Sequence, residues 1–247
     1  YQIIRTTSVL FFQIVFAFLI PEIMASLNMP GYDFKNAFPL DYDFFFEWNL
    51  KSLTESGSVG LFILVWGIVL TLVIVPVMVY FFGKRWYCSW VCGCGGLAET
   101  LGDPYRQHSN KSMNAWKVER WLIHAVLVFS LVMTIVTLYC YFTGAESLLG
   151  IPTQWVKDTY SFLIGAWFAG VIGTGFYPIF GNRVWCRFGC PLAAYLGLVQ
   201  RFKSRFRITT NGGQCISCGN CSTYCEQGID VRAYAQKGEN IVRSSCV

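Results

Sequence analysis

Long apolar stretches alternate along the chain with shorter segments rich in polar, basic and aromatic residues. Four apolar stretches are long enough to cross the ~30 Å hydrocarbon core of a bilayer, which takes about 20 helical residues. They run from Thr7 to Leu27, from Val59 to Phe82, from Trp121 to Phe142 and from Phe162 to Phe180. The pattern therefore predicts an all-α membrane protein with four transmembrane helices in contact with membrane lipid.

The composition supports this prediction. Only 13% of the 247 residues are charged and 54% are hydrophobic, whereas an ordinary soluble domain has roughly 25% charged residues. A soluble enzyme of standard composition, a disordered chain and a fibrous chain are thereby excluded. The net charge is +5, but the basic residues gather in two segments instead of forming a general surface, so no nucleic acid partner is expected.

The two basic segments predict the orientation, because loops rich in Lys and Arg stay in the cytoplasm. One segment lies between the second and third stretches and the other follows the fourth. Their basic residues are Lys84, Arg85, Arg106, Lys111, Lys117, Arg120, Arg183, Arg187, Arg201, Lys203, Arg205 and Arg207. Both termini and both basic segments are therefore expected on the cytoplasmic side, with the acidic loop 28–57 outside.

The outer loop 28–57 is also rich in aromatic rings. They are Tyr32, Phe34, Phe38, Tyr42, Phe44, Phe45, Phe46 and Trp48. Such rings are typical of an interfacial aromatic belt. A docking surface for an outer partner, or the mouth of a quinone site, is the alternative that the sequence leaves open.

An internal repeat relates the two halves of the chain. Gly83 to Cys92 and Gly181 to Cys190 share the pattern G-x-R-x-x-C-x₃-C, and each copy closes a pair of apolar stretches. The repeat predicts two pseudo-repeated helical hairpins that deliver their cysteine pairs to the same membrane face.

The repeated pairs Cys88/Cys92 and Cys186/Cys190 allow three interpretations. On a helix, two cysteines four residues apart lie on one face, where their sulfurs can bind one edge of a cluster or metal. The four thiolates could thus share an iron–sulfur centre at the membrane surface. A redox-active or structural pair without metal, and ordinary packing cysteines, are the alternatives. Cys94 could serve as a substitute ligand.

Basic side chains flank these pairs. Arg85, Arg183 and Arg187 would offset the negative charge that four thiolates place on a cluster. The matched positions of Arg85 and Arg183 favour a shared role. For Lys84, an ordinary position in the positive-inside flank is at least as good an interpretation.

The most specific motif lies near the C-terminus. Cys215-x₂-Cys218-x₂-Cys221-x₃-Cys225 has the bacterial ferredoxin spacing for a [4Fe–4S] cluster. A zinc ribbon is the weaker alternative, since zinc sites usually show two separated C-x₂-C pairs. In two-cluster ferredoxins the fourth cysteine of such a run binds the other cluster. Cys225 and Cys246 are therefore expected to serve a second cluster. Both clusters are then short of ligands, and the remaining ones would come from beyond Val247 or from another chain.

These motifs divide the chain into two predicted domains. Residues 1–207 form the membrane domain with its two C-x₃-C repeats, and residues 208–247 form a small cytoplasmic ferredoxin-like 4Fe-4S domain, expected to be truncated at its C-terminus. Haem is not expected, because the chain has only His108 and His124 as histidines.

The combined pattern resembles the ferredoxin-type membrane proteins of the NapH, NosR and FixG group. The resemblance rests on paired spans that end in C-x₃-C, the second followed by Pro191, and on the ferredoxin run after them. It implies a multi-pass protein of the bacterial inner membrane that passes electrons between the quinone pool or cytoplasmic donors and a periplasmic reductase or cytochrome. The chain departs from the family pattern at Gly93 and Glu226, where Pro is common. Glu226 would put a carboxylate near the second cluster and could lower its potential.

The sequence therefore predicts an electron-transfer subunit of a larger redox complex, with no stand-alone catalytic residues. Two other functions stay open. The C-x₃-C pairs could bind copper(I), a soft ion suited to thiolates, in a metal-handling or assembly factor. The chain could also be a structural membrane anchor whose partner does all the redox work.

Overall fold

The computed structural model describes residues 2–34, 47–144, 147–148, 150–241 and 243–246. Within them the chain is mostly helical, with one short antiparallel pair of strands, β1 (Ser147–Leu148) and β2 (Ile151–Pro152). Most of the predicted aromatic belt, residues 38–46, lies outside the described residues. A helical membrane architecture agrees with the prediction, because helices satisfy their backbone hydrogen bonds within one segment.

Three of the described helices are long and apolar enough to cross a membrane. They are α1 (Gln2–Ser26), α3 (Ser58–Phe82) and α6 (Met113–Thr143), which contain 25, 25 and 31 residues. Short segments of α1 and α3 have π-helical geometry, Phe12–Leu19 and Leu70–Ile74. These helices correspond to the first three predicted spans. Most of their residues are not buried inside the protein, as expected for helices that face lipid.

The fourth predicted span is helical as well. α7 (Thr153–Tyr160) continues in π-helical geometry over Ser161–Gly175 and is followed by α8 (Tyr177–Phe180). This segment is not among the three helices that meet the length and hydropathy of a membrane span. Its first two turns, from Thr153 to Tyr160, carry polar residues.

Shorter helices connect these segments. α2 (Glu47–Glu55) precedes α3, and α4 (Arg85–Trp90) and α5 (Gly93–Thr100) follow it. A 3₁₀ turn, Asp103–His108, leads to α6. The Ser112 hydroxyl caps the start of α6 by accepting a hydrogen bond from the Ala115 backbone N–H at 3.2 Å.

The second repeat ends in α9 (Val184–Phe188) and α10 (Pro191–Lys203). One apolar core joins it to the first repeat, because Leu196 of α10 packs with Val75 and Val79 of α3 and with Tyr87 and Cys88 of α4. This packing fixes the ends of the two repeats against each other.

The last 40 residues form an arm that folds back on the helical domain. It contains a 3₁₀ turn (Gly212–Gln214), α11 (Asn220–Thr223) and α12 (Val231–Lys237). An isolated antiparallel bridge pairs Ile208 with Ile241. We refer to residues 208–246 as the C-terminal arm.

Candidate metal centre

The two C-x₃-C motifs have the same local structure. Each begins at a glycine with positive φ, Gly83 (+67°) and Gly181 (+83°). A short helix with the first cysteine follows, and the second cysteine is the N-cap of the next helix. Only glycine adopts such φ values without strain, which explains why this residue type starts both copies.

The expectation that each cysteine pair lies on one helix is wrong. Cys88 lies in α4 and Cys186 in α9, but Cys92 and Cys190 have extended backbones, with ψ of 131° and 112°. The Cys190 sulfur caps α10 by accepting a hydrogen bond from the Ala193 N–H at 3.4 Å. The chain therefore turns between the two cysteines of each pair.

The two repeats bring their cysteines together. Cys88 interacts electrostatically with Cys186 and Cys92, and Cys190 interacts with Cys186, Cys92 and Cys88. Cys88 and Cys186 are buried, with 5% and 8% of their surface exposed. Thiols separated by about 100 residues in the sequence thus form one group, which we call the C-x₃-C group. Cys88 and Cys186 are its buried members, and Cys92 and Cys190 are partly exposed.

The environment of this group opposes free thiolates. Burial, and then the neighbouring Cys186, raises the pKa of Cys88 to about 12. Burial also raises the pKa of Cys186 and Cys190. The hydrogen bond between the Cys94 and Cys92 side chains, and then burial, raises the pKa of Cys94. Several ionised thiols can share such a site only if positive charge compensates them.

Two buried cations lie beside the group. Lys84 and Arg183 each have 1% of their surface exposed. Arg183 donates a hydrogen bond to the Cys88 carbonyl at 3.4 Å, and the cysteines raise the pKa of Arg183 against the opposing effect of burial. Burial lowers the pKa of Lys84, whereas Cys88, Cys186 and Cys246 raise it.

The positions of these cations differ from the sequence interpretation. Lys84 is not a solvated flanking residue, and Arg85 does not repeat the role of Arg183. Arg85 instead lines an apolar cavity of about 630 Å³ between α1, α3 and α4. The sequence repeat aligns the two arginines, but the side chains that lie beside the cysteines are those of Lys84 and Arg183.

Carboxylates complete the charge balance around Arg183. The guanidinium forms ion pairs with Glu99 and with Glu226, the latter at 3.0 Å. Glu99 also pairs with Arg5 of α1 at 2.6 Å, and Glu226 with Arg106 at 3.3 Å. Arg187, also buried, pairs with Glu119 of α6. Sequence reasoning missed Glu99 and Glu119, because no motif marks them.

The donor chemistry of the C-x₃-C group fits an iron–sulfur cluster, which binds cysteine thiolates and carries negative charge that nearby cations offset. In the part of the chain that the structure describes, no three His, Cys, Asp or Glu side chains have an arrangement that would hold a metal ion. The four cysteines are electrostatic neighbours, and the buried side chains of Lys84 and Arg183 lie beside them.

The ferredoxin run lies in the C-terminal arm. Ser217 and Gly219 have positive φ, +60° and +81°, so the backbone curls between the first three cysteines. Cys218 and Cys221 are exposed, and Cys215 is intermediate.

The fourth cysteine of the run is partly buried. Cys225 packs against the small core formed by Ile229, Ile241 and Cys246. The structure thus brings together the two cysteines that the sequence assigned to a second cluster.

Two segments of the chain, residues 60–112 and 163–209, match the family profile of a 4Fe-4S binding domain. Each contains one copy of the repeat. Among curated proteins, the chain is 26% identical over 156 residues to the putative electron transport protein YccM of Escherichia coli, covering 60% of this chain and 43% of YccM. It is 30% identical over 158 residues to the methylamine utilization ferredoxin-type protein MauN of Methylobacillus flagellatus, covering 63% of this chain and 53% of MauN.

An uncharacterized protein of Methanocaldococcus jannaschii is 27% identical over 80% of both chains. No solved structure matches the chain. The chain spans about half the length of YccM and MauN. The matches confirm the prediction of an iron–sulfur protein of ferredoxin type, whereas the narrower NapH, NosR and FixG group stays a prediction. The chain thus carries 4Fe-4S binding domain segments in both of its repeats and is similar to ferredoxin-type electron transport proteins.

Proposed function

We propose that the protein is a membrane-bound iron–sulfur electron-transfer subunit that passes electrons between a quinone pool or cytoplasmic donor and a partner redox protein. The observation that carries the proposal is the meeting of the two cysteine pairs, Cys88/Cys92 and Cys186/Cys190, in one partly buried group. Such a group suits a protein that binds a thiolate-ligated cofactor. An iron–sulfur cluster supplies one-electron redox chemistry when bound.

The ligand sets follow from the cysteine positions. The C-x₃-C group would hold a centre at the membrane surface, Cys215, Cys218 and Cys221 would hold one cluster in the arm, and Cys225 and Cys246 would contribute to another. The protein's own side chains set the environment of each. Lys84 and Arg183 offset thiolate charge, and the surrounding apolar core excludes water from Cys88 and Cys186.

The exposure of the cysteines suggests where a partner binds. Cys218 and Cys221 are exposed, so a cluster held by this loop lies within reach of a soluble or membrane-bound redox partner. The C-x₃-C group is packed against the end of α3 and against α10. We place both groups on the cytoplasmic side of a bacterial inner membrane, in a four-span domain (1–207) and an arm domain (208–247).

The apolar cavity supports the quinone branch of the proposal. Its walls include Phe12, Phe16, Trp66 and Trp90, and its volume is about 630 Å³, in the range of small-molecule sites. Within the described part of the chain, the buried Arg85 Nε and Trp86 Nε1 atoms have no hydrogen-bond partner. A quinone ring would fill the aromatic space and accept hydrogen bonds at its carbonyl oxygens. The cavity wall also includes Tyr87 and Val91, the residues just before Cys88 and Cys92.

Metal analysis of the intact protein tests the proposal. We expect iron and acid-labile sulfide in protein purified without oxygen, and loss of one EPR signal in Cys88→Ser and Cys186→Ser. Cys140→Ala, which changes a buried cysteine of α6 outside the motifs, should keep every signal. Absence of iron contradicts the proposal. Copper at the C-x₃-C pairs would favour metal handling instead, and unchanged electron flow in the serine variants would favour a structural anchor.

A further inference from the structure

Lys84 connects the C-x₃-C group to the C-terminal arm. Its ammonium group donates a hydrogen bond to the Ser244 carbonyl at 2.8 Å, two residues before Cys246. Its charge also acts on Cys88 and Cys186 of the C-x₃-C group and on Cys246 of the arm. One buried side chain therefore lies between cysteines that the sequence assigns to two different clusters.

Around Lys84, the backbone of the arm packs closely against α10. The Lys84 N–H donates to Gln200 Oε1 at 2.7 Å, and Gln200 Nε2 donates to the Cys246 carbonyl at 3.1 Å. A Cβ atom at Gly197 would lie 2.3 Å from the Ser244 carbonyl oxygen. The arm is thus packed against α10 at a distance that only glycine permits.

Arg183 makes a second connection, near the middle of the arm at Glu226. It donates to the Cys88 carbonyl at 3.4 Å and pairs with Glu226, the residue after Cys225, at 3.0 Å. The neighbours of Cys225 and of Cys246 are therefore both attached by buried cations to the surroundings of Cys88.

We propose that the C-x₃-C centre and the Cys225/Cys246 centre are adjacent redox centres that share Lys84 as a buried counter-cation, so that electrons pass between arm and membrane domain at this contact. The inference rests on the proposed function. The proposal also gives the order of the centres along the electron path. The exposed Cys215–Cys221 loop is the outer end, the Cys225/Cys246 centre lies next, and the C-x₃-C centre is the inner end.

The charges around the two side chains explain why Lys84 should affect the reduction potentials of the centres more than Arg183 does. The Arg183 charge is shared with the carboxylates of Glu99 and Glu226. The Lys84 ammonium donates to a neutral carbonyl, and Cys88, Cys186 and Cys246 favour its charged form against the larger effect of burial, which lowers its pKa. A buried cation favours the reduced form of a nearby cluster, because reduction adds negative charge. Lys84 is thus a positioning residue that raises both reduction potentials.

The test is an EPR-monitored redox titration of the full chain, purified without oxygen, with Lys84→Met. We expect the reduction equilibrium constants of both centres to fall at least tenfold, which is about 59 mV for a one-electron couple. Lys84→Arg should restore both values. Arg201→Gln, which removes a cation on an exposed side of α10, should change neither. A shift in only one centre, or in none, overturns the proposal.

A second measurement does not depend on how the variant folds. In the unmodified protein, adjacent centres should broaden each other's EPR signals when both are reduced. Two fully reduced signals without any spin–spin interaction would contradict the inference. Failure of the proposed function looks different, because the purified protein would then contain no iron or sulfide.

Discussion

Buried charged residues distinguish this protein at the scale of single residues. Glu99 has 2% of its surface exposed and pairs with both Arg5 and Arg183. The Lys51–Glu55 pair, by contrast, is 3.9 Å long with both side chains more than two-thirds exposed. Removing one member of a buried pair leaves an uncompensated charge in a low dielectric, whereas an exposed pair contributes little.

Glu99→Gln should therefore destabilise the protein strongly. We expect a loss of roughly 3–5 kcal/mol in the free energy of unfolding, because Arg5 and Arg183 would each lose a buried ion-pair partner. Thermal unfolding of the variant in detergent measures this loss of stability. The matched change Glu55→Gln should cost less than about 1 kcal/mol. Equal shifts in unfolding temperature for the two variants would contradict this interpretation of the network.

Single residues also mark what the sequence could and could not predict. Spacing alone identified the cysteines, because C-x₃-C and the ferredoxin run are local patterns. It chose Arg85 over Lys84 as the cation beside the cysteines, since the repeat aligns Arg85 with Arg183. Whether Lys84 or Arg85 points toward the cysteines depends on the direction of the chain after the turn at Gly83. The spacing of residues in the sequence does not encode this direction.

At the scale of elements, each C-x₃-C motif is a break between two short helices. Gly189 ends α9 and Pro191 starts α10, so Cys190 becomes an N-cap. Pro at the first helical position is a typical helix start, and this signal was present in the sequence. In the first repeat Gly93 takes the place of the proline, yet Cys92 has the same extended backbone.

Close packing of α5 on α4 makes Gly95 critical for the first motif. A Cβ atom at this position would lie 1.5 Å from the Cys88 carbonyl oxygen. Gly95→Ala should thus displace Cys88, lower the free energy of unfolding by roughly 1–3 kcal/mol and remove the EPR signal of the C-x₃-C centre. Iron analysis and EPR of the purified variant measure the effect.

Gly170→Ala is the control for this prediction. Gly170 is also helical, and apart from its own stretch of helix no described atom lies within 4 Å of the place that an added Cβ would occupy. Alanine favours a helix over glycine by about 1 kcal/mol, so the variant should keep its clusters and its stability. Loss of the C-x₃-C signal in both variants would mean that the packing of α5 on α4 is not the cause.

For the molecule as a whole, hydrophobic length predicted three helices of membrane-spanning length and none of the docking of the arm. The first three apolar stretches are the three helices able to cross a membrane among the described residues. The contacts of Gln200 with Cys246 and of Gly197 with Ser244 join residues more than 40 positions apart. These contacts depend on how the folded chain packs. A single sequence has no periodic pattern that predicts such long-range packing.

The meeting of the two cysteine pairs also constrains the topology. Cys88 precedes α6 and Cys186 follows it, yet the two thiols are neighbours. If α6 crosses the membrane once, the chain must cross back before Cys186, and the helical segment 153–175 lies where this return is needed. We therefore expect four crossings, with residues 52 and 147 outside and residue 237 inside.

Single added cysteines can test this topology with a membrane-impermeant maleimide. Ser52→Cys and Ser147→Cys should react in intact cells, and Lys237→Cys only in inverted membrane vesicles, with the unmodified chain giving the background of the native thiols. All three positions are exposed, so burial does not limit the reaction. If Ser147→Cys reacted from the same side as Lys237→Cys, α6 would not cross, and the two cysteine pairs would share a face without a fourth span.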